Sequence, residues 1–451
     1  MIIDPIQNLK KHGWLHFYQM DKVDKNEFIS PILCKGKGIY VYDNNGKQYI
    51  DGLSGAYCVN VGYGRKNILE AALKAAEQIH FVSPFSAANM PLISLAEKLS
   101  ILAQPVTGDR SRVYFVNSGS EAIDTAIKIA RVYARRTTKP NGYKVICRNC
   151  SYHGTTFGAM SCSGFDSMKE EFAPLVPGIY HAPNTSCIRC PLGLNFPTCN
   201  VACATAISDI INHEGADSIA AVLVEPAETS NGIIPPPQGY LNNVSNICKT
   251  NNALLIIDEV ITGFGRLARW FGAEKYGINA DIIVCAKGLT SGYDSLGAVI
   301  VREEVANVFS GAESKMFMHG STFGGRPGAT AAALETIKII EDENLLEMSE
   351  NASLYIYNLL SKEIAPLSIV GDIRRAGLLF GIDLIDTTNN LLTDHNLLSK
   401  IRRDLIEKGL ITSMFSGRNE PTIELAPPLI ISENEIDNVI DILYNTLKPY
   451  S

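Results

Sequence analysis

Short runs of consecutive apolar residues, rich in Val and Ile, recur through the middle of the chain at 112–116, 144–147, 219–224, 253–257, 282–285 and 297–301. They lack the apolar and polar alternation of a half-exposed sheet, so they predict strands buried on both faces. Between them the spacing becomes helical: over 121–133, Ala122, Ile123, Ala126, Ile127 and Ala130 fall along one side. Strand, helix and strand in alternation predict an α/β unit, with a mostly parallel central sheet and helices on both faces.

From residue 328 the signal changes to long helices at 329–340 and 344–360, then segments at 369–383 and 397–408, and a last helix from Glu433. This tail reads as a smaller α+β unit. The first 60 residues, with turn signals at 36–38 and 43–46 between Tyr- and Ile-rich strands, resemble it more than they resemble the middle. We therefore expect 1–60 to be an N-terminal segment of a small domain, 61–327 a large α/β domain and 328–451 the C-terminal part of the small domain.

Composition narrows the function. With 451 residues, 46% of them hydrophobic, a large core is available and disorder is excluded. A formal net charge of −7, with no basic block longer than Arg135-Arg136, offers little to a phosphate backbone, so no nucleic-acid partner is expected. No stretch approaches 18 uninterrupted apolar residues, and residues 1–5 lack a basic start before an apolar run. That predicts no membrane association and no export. Eleven cysteines, an odd count spread among apolar neighbours, suit reduced thiols and hence the cytoplasm.

In an open α/β sheet, ligands bind beyond the carboxyl ends of the strands, so reactive side chains placed there are the ones to weigh. Asn117-Ser118-Gly119-Ser120-Glu121 follows one strand and opens a helix. Its Ser118 and Ser120 hydroxyls and unpaired helix-start N–H groups suit either a phosphate or an ordinary N-cap. Asp258 closes the apolar run 253–257, and Lys287 lies just past the run 282–285. A lysine desolvated there loses the advantage of its charged form and becomes a nucleophile toward a carbonyl. A nearby carboxylate would keep a pyridine nitrogen protonated. Surface ion pairing or strand capping is the plainer reading of either residue alone. Tyr152-His153-Gly154 follows the strand at 144–147, where an aromatic face either stacks on a flat ring or simply packs.

In this order, and together with Asp51-Gly52-Leu53-Ser54-Gly55, Glu225-Pro226, Asp258-Glu259-Val260-Ile261-Thr262-Gly263-Phe264-Gly265-Arg266, Lys287-Gly288-Leu289-Thr290 and His319-Gly320-Ser321-Thr322, these residues resemble class III (ω-amino-acid) aminotransferases dependent on pyridoxal phosphate. The resemblance runs along nearly the whole chain. It implies a fold type I architecture and pyridoxal 5'-phosphate as cofactor. Lys287 would bind that cofactor covalently and later shuttle a proton, with Asp258 on the pyridine nitrogen. Tyr152 and Val260 would cover the two ring faces, and Ser118, Gly119 and Ser120 would hold the phosphate. His153 and Glu225 would stand close to the ring. Thr322 would reach the phosphate of a neighbouring subunit, because family members are homodimers with shared active sites.

The resemblance also speaks to substrates. Relatives that use 2-oxoglutarate commonly carry an arginine just after the Tyr-His-Gly site and a glutamate after Glu-Pro, where this chain has Thr155 and Ser230. That implies a pyruvate-type enzyme taking amino groups from a terminal amine or ω-amino acid, with ping-pong kinetics. A second carboxylate buried without a cation would be costly. Arg418 is expected to take the acceptor's carboxylate. Tyr57, where amine-accepting relatives have tryptophan, would wall the donor pocket. Racemases, aminomutases and decarboxylases share the fold and remain the alternative.

Two other patterns are set aside. Gly263-Phe264-Gly265-Arg266-Leu267-Ala268 fits a dinucleotide fingerprint, but the acid required at the end of the next strand is replaced by Lys287. Cys187, Cys190, Cys199 and Cys203 have short spacings, yet their apolar neighbours suit a packed loop, and no metal is expected.

Overall fold

The computed structural model describes residues 4–25, 30–137, 139–415 and 421–451. Among them, the strands β1 (Leu33–Lys37), β2 (Tyr40–Asp43) and β3 (Gln48–Asp51) form a small antiparallel meander. Seven strands come next in the chain: β4 (Ser111–Val116), β5 (Lys144–Arg148), β6 (Ile179–Ala182), β7 (Ile219–Val224), β8 (Leu254–Asp258), β9 (Ile282–Cys285) and β10 (Gly297–Arg302). They make one sheet in the order β4-β10-β9-β8-β7-β5-β6. Only β10 runs against its neighbours, so the sheet is mostly parallel, as expected.

Successive residues along these strands enter different cores. Leu255 and Ile257 face one side with Leu95, Leu99 and Ile337, while Leu254 and Ile256 face the other with Ala122, Ile123 and Ala126. Both faces are therefore covered by helices, chiefly Gly119–Arg136 on one and Met90–Thr107 and Pro327–Asp342 on the other. This two-sided burial is why the strands read as unbroken apolar runs. Strand β6 escaped the sequence pattern. It is an edge strand paired only to β5, three of its four residues are half-buried, and it contains His181, so no apolar run marks it.

The C-terminal region supplies β11 (Val370–Arg375), β12 (Phe380–Leu384), β13 (Leu410–Ile411), β14 (Ser413–Phe415) and β15 (Thr422–Leu425). A four-stranded antiparallel sheet runs β11-β12-β15-β14, while β13 leaves it to pair in parallel with β3, so the first and last segments of the chain share a sheet. The register of β15 sets Glu424 opposite Gly381 on one side and Ser413 on the other.

Candidate active site

The parallel strands end on a cleft of about 150 Å³. Gly119, Ser120, Tyr152, His153, Glu225, Asp258, Val260 and Lys287 all line it, together with Gly154, Ala227, Thr229, Ile261 and Thr262. These residues follow β4, β5, β7, β8 and β9, so the sheet gathers positions that lie far apart in the chain.

On the floor, Asp258 is buried and both its oxygens are held. Oδ2 lies 2.7 Å from His153 Nδ1, and Oδ1 accepts the Val260 N–H at 3.0 Å. His153 is thus the support of Asp258, a role its place in the sequence does not disclose. Lys287 opens a short turn with a left-handed φ of +40°, an uncommon conformation for a side chain of this size. Burial pulls its pKa below the usual lysine value, and the nearby Cys58, Asp258 and Glu225 only partly restore it. Glu225 is buried, and burial pushes its pKa well above the carboxylate range, with Asp258 and Glu228 adding to the rise and Arg148 opposing it. Arg148, fully buried, donates to the Glu225 carbonyl at 2.9 Å and to its Oε2 at 3.3 Å, and lies 3.4 Å from Glu228.

At the other end of the cleft, the 18-residue helix Gly119–Arg136 presents its N-terminus. Ser118 caps it by accepting the Glu121 N–H at 3.2 Å, which leaves the hydroxyl's own hydrogen free to donate, and it does not line the cleft. Gly119 and Ser120 remain at the mouth. Space there is tight: a Cβ on Gly119 would stand 3.0 Å from Val260, and one on Gly154 would stand 2.2 Å from Ser120 Oγ. The backbone can therefore approach a ligand closely only because these positions are bare.

Other expectations fall elsewhere. Tyr57 is buried beside Lys287, whose Nζ is 5.6 Å from the ring centroid. Thr322 is exposed and away from the lining, and Arg418 lies outside the described residues. Gly263 to Ala268 lead into a tight turn rather than a helix, and the fully buried Arg266 there binds Pro427 O, Ser54 Oγ and Asn60 Oδ1. The four loop cysteines are free thiols lining a separate small cavity, and among the described residues no group of three or more His, Cys, Asp or Glu is arranged to hold a metal. Sequence reasoning missed Arg148, Glu228 and Glu424, which act across the fold with no local signal.

The chemistry of this cleft fits a phosphorylated pyridine aldehyde. Helix N–H groups beside two bare glycine positions suit the phosphate, the braced carboxylate suits a protonated ring nitrogen, and the desolvated amine suits the aldehyde carbon. Similarity to known proteins agrees. The chain is 32% identical to a hypotaurine/taurine–pyruvate aminotransferase of Paracoccus denitrificans, over 97% of this chain and 95% of that one. It is also 32% identical to a putrescine–pyruvate aminotransferase of Pseudomonas aeruginosa, over 92% and 90%. The crystal structure of a Bacillus anthracis aminotransferase superposes with a TM-score of 0.92 at 37% identity, covering 98% of each chain. Residues 22–447 match the family model for class-III aminotransferases, and the chain belongs to that family of pyridoxal-phosphate-dependent enzymes.

Proposed function

We propose that this aminotransferase moves an amino group from a terminal amine or ω-amino acid to pyruvate. The observation that carries the choice of acceptor is charge: among the described residues lining the cleft, Lys287 is the only lysine or arginine. Arg148, Arg266 and Arg374 are each taken up by partners of their own. A dicarboxylic acceptor would leave its second carboxylate uncompensated, whereas pyruvate brings only one. Thr155 and Ser230, in place of the residues that relatives use for 2-oxoglutarate, support the same choice. The two relatives named for a pyruvate reaction differ in their amino donors, so the donor is the variable half.

In this reading Gly119 and Ser120 hold the phosphate, with Ser118 fixing the helix start. Asp258, braced by His153, holds the ring nitrogen, and Tyr152 and Val260 bracket the ring. When bound, the cofactor supplies an electron sink that acidifies the C–H bond beside the transferred nitrogen. Lys287 Nζ would take the proton from that carbon as a general base and, once protonated, would release it again as a general acid. Burial, which lowers its pKa, favours the neutral amine that the first of these duties needs. Glu225, buried and paired with Arg148, stands close to the ring in this reading. Arg418 meets the acceptor carboxylate, and Tyr57 walls the donor side.

The reading includes a homodimer in which Thr322 completes the partner's phosphate site. Thr322 stands among exposed apolar side chains, with Phe323 stacked edge-on against Phe81 at 5.9 Å and Phe85, Met316 and Met318 also exposed. Exposed apolar surface of this kind marks an interaction face. We place residues 61–327 as the cofactor-binding domain, flanked by 1–60 and 328–451 as the small domain. Eleven free thiols suit the reducing cytoplasm. Among the described residues no helix is long and apolar enough to cross a membrane.

The test is a donor panel assayed with pyruvate and, separately, with 2-oxoglutarate. Alanine formation with pyruvate and negligible glutamate formation is expected; the reverse preference refutes the reading.

A further inference from the structure

Tyr57 is the last of four consecutive residues with positive φ: Ser54 at +50°, Gly55 at +55°, Ala56 at +67° and Tyr57 at +64°. Three of them carry side chains, which this left-handed conformation disfavours. A strained turn persists only where its surroundings fix it. Both ends of this one are fastened to a single segment far away in the chain. Ser54 Oγ donates to Ala426 O at 2.6 Å, and the Tyr57 hydroxyl donates to Glu424 Oε2.

Glu424 itself is fully buried, with no exposed surface. Its other oxygen accepts the Gly232 N–H at 3.1 Å. The nearby guanidinium, Arg374, is already committed to Asp372 at 2.6 Å and to Asp383 at 2.5 Å. Burial raises the Glu424 pKa to about 7, although Tyr57, Gly232 and Arg374 each pull it down. A carboxyl in this setting is a costly residue for a strand interior, and an apolar side chain would be cheaper. What it gains, besides the Gly232 N–H, is a hold on one phenol, and that phenol's ring faces Lys287.

We propose that Glu424 is a positioning residue for amine specificity: it clamps Tyr57 in the left-handed turn above Lys287 and so fixes the wall against which the amino donor is sized. Glu424 touches neither reacting atom nor cofactor. It acts on the donor only through Tyr57. The inference rests on the aminotransferase reading and on Tyr57 walling the donor pocket, and it adds the residue that sets that wall.

The test compares Glu424→Val, Glu424→Gln and Tyr57→Phe with the native holoenzyme, using a short unbranched amine and a bulky aryl amine with pyruvate. Losing the clamp should raise KM for the small amine about tenfold, the worth of one charge-assisted hydrogen bond, while kcat shifts by less than about threefold. The bulky amine should suffer less or improve. Glu424→Gln, whose oxygen can keep the Gly232 N–H while its amide donates to the Tyr57 oxygen, should restore most of the small-amine KM. Tyr57→Phe should reproduce Glu424→Val, and the double variant should add nothing further, since both remove the same bond. Binding of the matching unreactive alcohols, measured by calorimetry, should show the same reversal of size preference without turnover.

If all variants keep native KM values for both amines, or if the two single effects simply add, the proposal is overturned. Glu424→Gln behaving as badly as Glu424→Val likewise overturns it. Failure of the native enzyme to aminate pyruvate would be a different result, striking the functional reading instead.

Discussion

Nδ1 of His153 lies 2.7 Å from Oδ2 of Asp258, with both side chains buried beneath the cleft. The imidazole fixes which way the carboxylate faces, and the Val260 N–H fixes its other oxygen. Removing the ring should leave the charge in place but let it turn. We predict that His153→Phe lowers kcat about 10- to 100-fold, the worth of one hydrogen bond to a charged group. His153→Gln, which can still donate, should lose less. Steady-state kinetics on both variants checks this, and an unchanged kcat in His153→Phe would show that Asp258 is oriented by other groups.

Burial depresses the Lys287 pKa, and only the neutral amine attacks an aldehyde. A lower pKa therefore enlarges the reactive fraction at any given pH below it. Uptake of pyridoxal phosphate by the apoprotein should accelerate as pH rises, with a midpoint below the roughly 10.4 of an ordinary lysine. Borohydride treatment followed by peptide mapping should place the label on residue 287, and Lys287→Ala should take up no covalent cofactor. A label elsewhere removes the central assignment.

How much of this was legible in the sequence depends on whether a signal is local. Asp258 and Lys287 stand out because β8 and β9 are buried on both faces, so each reads as an apolar run that a charge abruptly ends. Gly119 and Ser120 are visible for a similar reason, at the junction of a strand and an amphipathic helix. Arg148 and Glu225 are 77 positions apart, and Tyr57 and Glu424 are 367 apart. Their pairing is decided by strand order and by the return of the C-terminal segment over the first, which no window of sequence contains. The same holds for His153: the chain shows a histidine after a tyrosine, and only the adjacency of the strand ends shows what it supports.

Asp383 is fully buried and accepts hydrogen bonds from Arg374, Thr422 and Arg189. Burial pushes its pKa up, but the bonds and charge of Arg374, with Thr422 and Arg189, outweigh that and hold it below the usual carboxylate value. A lowered folded pKa means stability that is present above the unfolded value of about 3.9 and lost as pH falls through the folded one. Asp383→Asn should cost about 3 kcal/mol at neutral pH by leaving Arg374 and Arg189 short of a charge. Urea unfolding across pH should show the deficit shrinking below about pH 4. A deficit that stays constant with pH would mean that the loss is one of packing.

The proposed homodimer, with Thr322 completing the partner's phosphate site, makes a prediction that a monomer cannot satisfy. Thr322→Asp, which sets a negative charge against the partner's phosphate, and Lys287→Ala should each be nearly inactive as homodimers. In a mixed dimer, Lys287 of the first variant faces the intact Thr322 of the second, so one native site re-forms. Co-expression with different affinity tags should then yield a heterodimer with about half the native activity, the share expected from one restored site of two. Activity no greater than that of either parent would place Thr322 outside the partner's site.

Gly154 is the residue whose smallest change should reach the proposed phosphate corner directly. Its φ is +128°, a conformation that disfavours any side chain, and an added Cβ would stand 2.2 Å from Ser120 Oγ and 2.8 Å from Ser120 Cβ. Neither atom can retreat freely, because Ser120 sits in the first turn of the helix and its hydroxyl already accepts the Thr155 N–H at 3.2 Å. Gly154→Ala must therefore move the serine, the Tyr152–Gly154 segment, or both. Two consequences should separate. Affinity for pyridoxal phosphate, read by fluorescence titration of the apoprotein, should fall by about tenfold or more, as one or two phosphate contacts are lost. Thermal stability of the apoprotein should drop as well, by roughly 1–3 kcal/mol of strain. A variant that binds the cofactor like the native protein would show that the helix start and the segment after β5 can part without disturbing the phosphate, so that close packing between them serves stability alone.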